Sequence, residues 1–139
     1  MTTAMAIDSP ARELAAKLVY FFETGTAPEG LLAPDVFCDL SLPHWRLQSE
    51  GPDDLVALRK AGHPAQGSVV RSRLDETATG FVLEFEERWH DDKGSWYSRE
   101  IARADVGERG ISELSVYCTG DWSEAHEAEH RAAVRLVRP

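Results

Sequence analysis

A chain of 139 residues, 42% hydrophobic with four tryptophans, can bury one core without disulfide or metal staples, so a single domain over residues 1–139 is expected. Its 15 basic and 24 acidic residues leave a formal charge of -9, which repels polyphosphate backbones and anionic headgroups and argues against nucleic acid or a membrane surface as partner. No apolar run approaches bilayer length, and the opening MTTAMAIDSP lacks the basic and apolar regions of a signal peptide, so a cytoplasmic location is expected. Cys38 and Cys118 belong to no C-x-x-C pair and read as reduced thiols used as small apolar residues.

Ser9 and Pro10 supply an N-cap and a first-turn proline for a helix over 11–23, with Leu14, Leu18, Phe21 and Phe22 as its apolar stripe. TGTAPEG then ends it with turn-forming residues. Leu31 and Leu32 suggest one further short turn of helix. VFCDLSL, from Val36 to Leu42, reads as a strand halted by Pro43, with HWRLQ continuing it after a bend. GPDDLVALRKA, residues 51–61, sets Leu55, Val56 and Leu58 at helical spacing behind acidic first-turn residues, and Gly62 ends the helix.

From there the pattern turns to β. SVVRSRL, GFVLEFEERWH, SWYSREIARADV and ISELSVYCT are separated by DETATG, DDKG and GERG, which carry turn chemistry, so four antiparallel strands in a meander follow. Asp121 is positioned to cap a last helix from Trp122 to about Val137, with Glu124 completing a capping box.

This order, helices first and then a long sheet, resembles the nuclear transport factor 2-like superfamily, which includes ketosteroid isomerases, limonene epoxide hydrolases and SnoaL-like cyclases. The resemblance runs from about Glu13 to Thr119 and rests on LLAPDVFCDLSLP and the closing ELSVYCTGDW. It implies an α+β fold in which a curved antiparallel sheet wraps on the N-terminal helices as a cone-shaped barrel. The C-terminal helix is an addition to it. It further implies a mostly apolar cavity for a small organic ligand at the open end, and a homodimer formed through the sheet. Ketosteroid isomerases carry a catalytic Asp at the end of the first strand. Aligning Ala33-Pro34-Asp35 puts Leu40 there and Asp39 one position earlier, and a one-residue shift turns a side chain to the other face. Their mechanism is therefore not carried over, and the Asp-Arg-Asp constellation of the epoxide hydrolases has no counterpart here.

The strands themselves hold one anomaly. In GFVLEFEERWH the alternate positions Phe81, Leu83, Phe85 and Trp89 are apolar, and Glu87 is the one acid among them. Such a placement is costly unless the site is wet, paired or functional. If DDKG closes a two- or four-residue loop, Glu87 lies opposite Ser98 or Glu100, with Glu86 or Glu84 near Arg99 or Arg103 on the outer face. Glu87 and Glu100 then share the inner face, where desolvation and repulsion raise one carboxyl towards neutrality, as a general acid or base requires. A three-residue loop would pair Glu87 with Arg99 as an ordinary salt bridge.

Other candidates have plain alternatives. His44, next to Trp45 after Pro43, falls where the resemblance puts the mouth of the cone and could shuttle protons there; packing in a loop is the competing role. His63 reads as a turn residue on a helix dipole. Cys118 has no Cys-His signature and reads as cavity lining, Tyr117 as part of the outer sheet face, and Asp39 as solvent-exposed.

HEAEHR contains His126, Glu127 and His130 as H-E-x-x-H, the zinc-peptidase pattern. A third ligand is missing downstream, since only RAAVRLVRP follows. A charged outer helix face with a Glu127–Arg131 pair, and packing through Trp122, Ala125, Ala132 and Leu136, accounts for the pattern without a metal. The expectation is thus a ligand-binding protein running cofactor-independent cyclase or isomerase chemistry. Glu87 and Glu100 would handle protons with His44 as auxiliary, and Phe37, Trp45, Phe85, Trp89 and Cys118 would form the walls. The rival is a non-catalytic ligand-binding or dimeric adaptor protein of the same fold.

Overall fold

The computed structural model describes residues 9–139; the stretch MTTAMAID, read above as lacking a leader, lies outside it. Helix α1 (Pro10–Thr24) starts where the Ser9 side chain accepts from the Arg12 amide. It stops at Gly25, whose left-handed φ of 77° lets its N–H reach the Phe21 carbonyl. Leu14, Ala15, Leu18, Phe21 and Phe22 are its buried face. Strand β1 (Leu32–Ser41) begins earlier than the sequence suggested, and no helical turn forms at Leu31-Leu32. The reason is a partner: the Leu31 carbonyl accepts from the Ile111 amide at 2.8 Å, and Leu32 pairs with Ile111, so the segment is drawn into the sheet. HWRLQ becomes strand β2 (Arg46–Glu50), which folds back antiparallel on β1.

Helix α2 (Pro52–Gly62) buries Leu55. The meander then runs through β3 (Gly67–Glu76), β4 (Gly80–Asp91), β5 (Gly94–Gly107) and β6 (Gly110–Cys118). The spatial order is β2-β1-β6-β5-β4-β3. All pairings of the meander are antiparallel, but β1 lies parallel to β6. The fold is α+β, with three helices and a curved, unclosed mixed sheet among the described residues. Helix α1 packs on β3 and β4, and α2 on β1 and β2. Between the helices and the inner sheet face lies one apolar cluster that includes Leu18, Phe21, Phe22, Val36, Phe81, Phe85, Ile111 and Leu114.

The C-terminal segment departs from expectation. Trp122–Ser123 form a short strand, β7, paired with Trp96 and Tyr97 of β5. Ser123 then caps α3 (Glu124–Ala133) by accepting from the His126 amide. Asp121 is not the cap, and Glu124 does not close a capping box: its Oε1 accepts from the Ser95 amide at 2.9 Å. The helix ends at Ala133 rather than Val137 and buries none of its residues. Among the described residues no helix is long and apolar enough to cross a membrane.

Strand β4 starts at a glycine because β5 leaves room for nothing else. A Cβ on Gly80 would lie 2.0 Å from the Ala104 carbonyl oxygen, whereas one on Gly62, at the end of α2, would meet nothing within 4 Å. Gly80→Ala is therefore expected to cost about 1–3 kcal/mol by overpacking. Gly62→Ala should leave stability unchanged or raise it by up to about 1 kcal/mol. Urea unfolding midpoints of the two variants test the contrast, and equal losses would contradict it.

Candidate functional site

A cavity of about 130 Å³ lies between the inner sheet face and the two long helices. Its walls come from alternate positions of four strands: Cys38 and Leu40 of β1, Phe85 of β4, Glu100 of β5, and Leu114, Val116 and Cys118 of β6. Phe21 and Phe22 of α1 and Leu55, Leu58, Arg59 and Gly62 of α2 complete it, with Leu42, His63 and Asp121 also lining it. Phe22 and Phe85 stack at 4.7 Å with an interplanar angle of 14°. The lining is thus mostly apolar, with its polar groups gathered on one side.

Those polar groups form a single cluster. Asp91 pairs with Gly94, so Asp92-Lys93 is a two-residue loop, and Glu87 stands opposite Ser98. Glu87 and Glu100 both point to the inner face and are 2% and 8% exposed. Arg59 comes down from α2 and donates from Nη2 to Glu87 Oε1 at 2.6 Å and to the Phe22 carbonyl, while its guanidinium lies 5.2 Å from the Phe22 ring centroid. One cation thereby holds β4, α2 and the last turn of α1 together. Glu100 Oε1 accepts from Ser98 Oγ at 2.7 Å and from Cys118 Sγ at 3.5 Å. Its other oxygen, Oε2, is buried without a hydrogen-bond partner.

This arrangement decides protonation. Burial first, and then the charge of the neighbouring Glu87, push the Glu100 pKa up to about 9, so at neutral pH it is a carboxylic acid. Burial likewise pushes the Cys118 thiol up to about 12, with the neighbouring Glu100 adding to the rise, and the Cys38 thiol up to about 11. Neither cysteine is a thiolate near neutrality, and the two are free rather than bridged. His63 caps the end of α2, its N–H bonded to the Arg59 carbonyl, and its ring packs edge-on against Trp89 at 4.1 Å. Desolvation and the Arg59 charge lower its pKa, so the ring is neutral, and its Nε2 is buried without a partner.

The sequence-predicted residues divide. Glu100, Phe85 and Cys118 line the cavity; Glu87 lies against its polar side, paired to Arg59 and not to Arg99. Arg99 instead faces Glu84 on the outer face at 3.8 Å. His44 and Trp45 do not reach the cavity: they form the exposed turn between β1 and β2, with Trp45 70% exposed. Phe37 is likewise no wall residue, because Cys38 occupies the inward position of β1 and Phe37 falls on the other face with Asp39, which binds Arg46 at 2.6 Å. Trp89 is buried but covered by His63, which takes the place at the cavity. Sequence reasoning missed Arg59. The signal was present: Arg59 follows Leu55 by four residues and so shares the apolar stripe of its helix.

The H-E-x-x-H residues have other engagements. The rings of His126 and His130 pack on Trp122 at 4.5 and 5.2 Å, so they lie on its side of α3 and not on an opposite face. Glu127 binds Arg88 of β4 at 3.1 Å rather than Arg131. Among the described residues no group of three or more His, Cys, Asp or Glu side chains is arranged to hold a metal ion.

No protein-family model matches the chain, and no curated protein matches it. Solved structures do. A candidate polyketide cyclase of Pseudomonas putida KT2440 aligns with TM-score 0.62 and 18% identity over 87% of this chain and 97% of that one. A candidate polyketide cyclase of Xanthomonas campestris pv. campestris gives TM-score 0.62 and 18% identity over 77% and 88%. A nuclear transport factor 2-like protein of Anabaena variabilis ATCC 29413 gives TM-score 0.62 and 15% identity over 80% and 87%. At such identities the likeness speaks of architecture and not of activity. The chain has the nuclear transport factor 2-like fold.

Proposed function

We propose that the chain binds a small organic molecule in this cavity and moves a proton on it without a cofactor, in the manner of a cyclase or isomerase. One observation carries the reading: Glu100, 8% exposed, presents a carboxyl oxygen with no protein partner on the wall of an otherwise apolar cavity. A buried polar atom left unpaired costs roughly 1–3 kcal/mol, and a ligand oxygen would relieve it. Glu100 in its acid form donates to a carbonyl oxygen of the ligand. His63, neutral and with a free ring nitrogen, accepts a proton from an adjacent carbon. The two groups have opposite shifts, an acid raised and a base lowered, and such a pair stays in the reactive forms at the same pH. Arg59 and Glu87 act through Glu100, by holding its proton and fixing its position. That candidate polyketide cyclases share the architecture is consistent with carbonyl chemistry.

Proton handling is read directly by exchange. Incubated in D2O with 2-cyclohexenone, the protein is expected to speed loss of the α-proton signals in the NMR spectrum. Glu100→Gln keeps a hydrogen-bond donor but cannot transfer a proton, so it should bind the enone within about tenfold of the parent while exchange falls by about 10²–10⁴. Exchange unchanged in Glu100→Gln would remove the acid-base role and leave ligand binding alone.

A second consequence concerns stability. The Glu100 pKa is raised from 4.5 to about 9, so between those values the folded chain holds a proton that the unfolded chain does not. Stability from this group is complete below the unfolded value and is lost as pH rises through about 9, by at most about 1.4 kcal/mol per pH unit. His63, with its lowered pKa, acts in the opposite sense below its unfolded value, but it is common to the parent and to Glu100→Gln and cancels in their difference. Urea unfolding from pH 6 to 9 should therefore show the parent losing stability relative to Glu100→Gln. Parallel curves would contradict the assignment.

A further inference from the structure

We infer that the ligand is an uncharged, single-ring compound with an acceptor oxygen at one end, and that fused polycyclic compounds are excluded. This rests on the ligand-binding reading above and narrows it to a chemical class.

Size comes first. The cavity holds about 130 Å³, below the roughly 300–1,000 Å³ of sites for drug-sized ligands and close to the roughly 150 Å³ of an apolar cavity that accepts benzene. The room is therefore that of one six-membered ring. On the side of Phe22 and Phe85 it does not open by side-chain motion, because the stacked rings are 6% and 2% exposed and locked within the core cluster. Leu58 of α2, by contrast, is a lining residue only half-buried and has freedom to give way.

Charge comes second. Arg59 carries Glu87 as its counter-ion and also donates to the Phe22 carbonyl, so no lining cation is left unneutralised to meet an anionic ligand, whose desolvation would go uncompensated. An ammonium would leave water for walls of Phe, Leu and Val, where Glu87 is already paired and Asp121, the other lining carboxylate, is solvent-exposed and screened. The lining residues offer three buried and unpartnered polar atoms, Glu100 Oε2, His63 Nε2 and Arg59 Nε. They suit one neutral oxygen and the carbon beside it.

Isothermal titration with four probes tests the inference: cyclohexanone, a four-ring steroid ketone, cyclohexylamine and cyclohexanecarboxylate. Cyclohexanone should bind at least tenfold more tightly than each of the others, and Glu100→Leu should abolish that binding. In Leu58→Ala, which adds room without touching the polar cluster, the bicyclic ketone decalone should gain at least fivefold relative to cyclohexanone. Steroid ketone binding as well as cyclohexanone would overturn the size class while sparing the ligand-binding reading. An amine or carboxylate that binds best would overturn the charge class. Binding of no probe at millimolar concentration would overturn both the inference and the reading beneath it.

Discussion

One guanidinium serves two buried carboxyls. Arg59 satisfies Glu87 directly, and Glu100, left without a cation of its own, keeps its proton instead. Two acids and one base in a low-dielectric wall can be neutral in total only if one acid is protonated. The position of Arg59 selects which: Glu87 lies in its reach, whereas Glu100 has Ser98, Cys118 and the cavity as neighbours. A pair of this kind costs about 3–5 kcal/mol to break from one side, so the choice is stably held.

The same interaction arranges the cavity. Through the Phe22 carbonyl, Arg59 fixes the end of α1, and through Glu87 it fixes the middle of β4. Between these anchors Phe22 lies flat on Phe85, closing the space on that side. The residue four positions after Arg59 is His63, which the next helical turn delivers to the same cavity with its ring against Trp89. The structural clamp and the proposed proton-handling site thus share side chains.

Much of this was legible in the residues. The Glu87 anomaly followed from a period of two, and the two-residue loop among the alternatives for DDKG gave the register that is found. What could not be read was which helix would supply the counter-ion. Arg59 breaks the apolar stripe of its helix as Glu87 breaks that of its strand, but only the packing of α2 over the sheet joins two such anomalies from distant parts of the chain. The parallel pairing of β1 with β6 was hidden for a related reason: it joins strands separated by the whole meander, and it converts Leu31-Leu32 from apparent helix to sheet. His44 and Trp45 were drawn to the site by analogy with the mouth of a cone. Here the end of α2 and the segment after β6 supply that rim, and the turn carrying His44 stays in solvent. Phe37 shows how little separates wall from surface, since a shift of one residue along β1 exchanges it with Cys38.

The protonation of Glu100 is the point on which these relations converge, and carbon-detected NMR of side-chain carboxyls reads it directly. In protein labelled with 13C at the glutamate side chains, the Glu100 carboxyl carbon, assigned by its loss in Glu100→Gln, should keep the shift of a protonated acid at pH 7. It should titrate near the value of about 9 that its surroundings impose. A Glu100 carboxyl already ionised at pH 7 and titrating in the ordinary carboxylate range would contradict the protonated state of Glu100 and the function inferred from it.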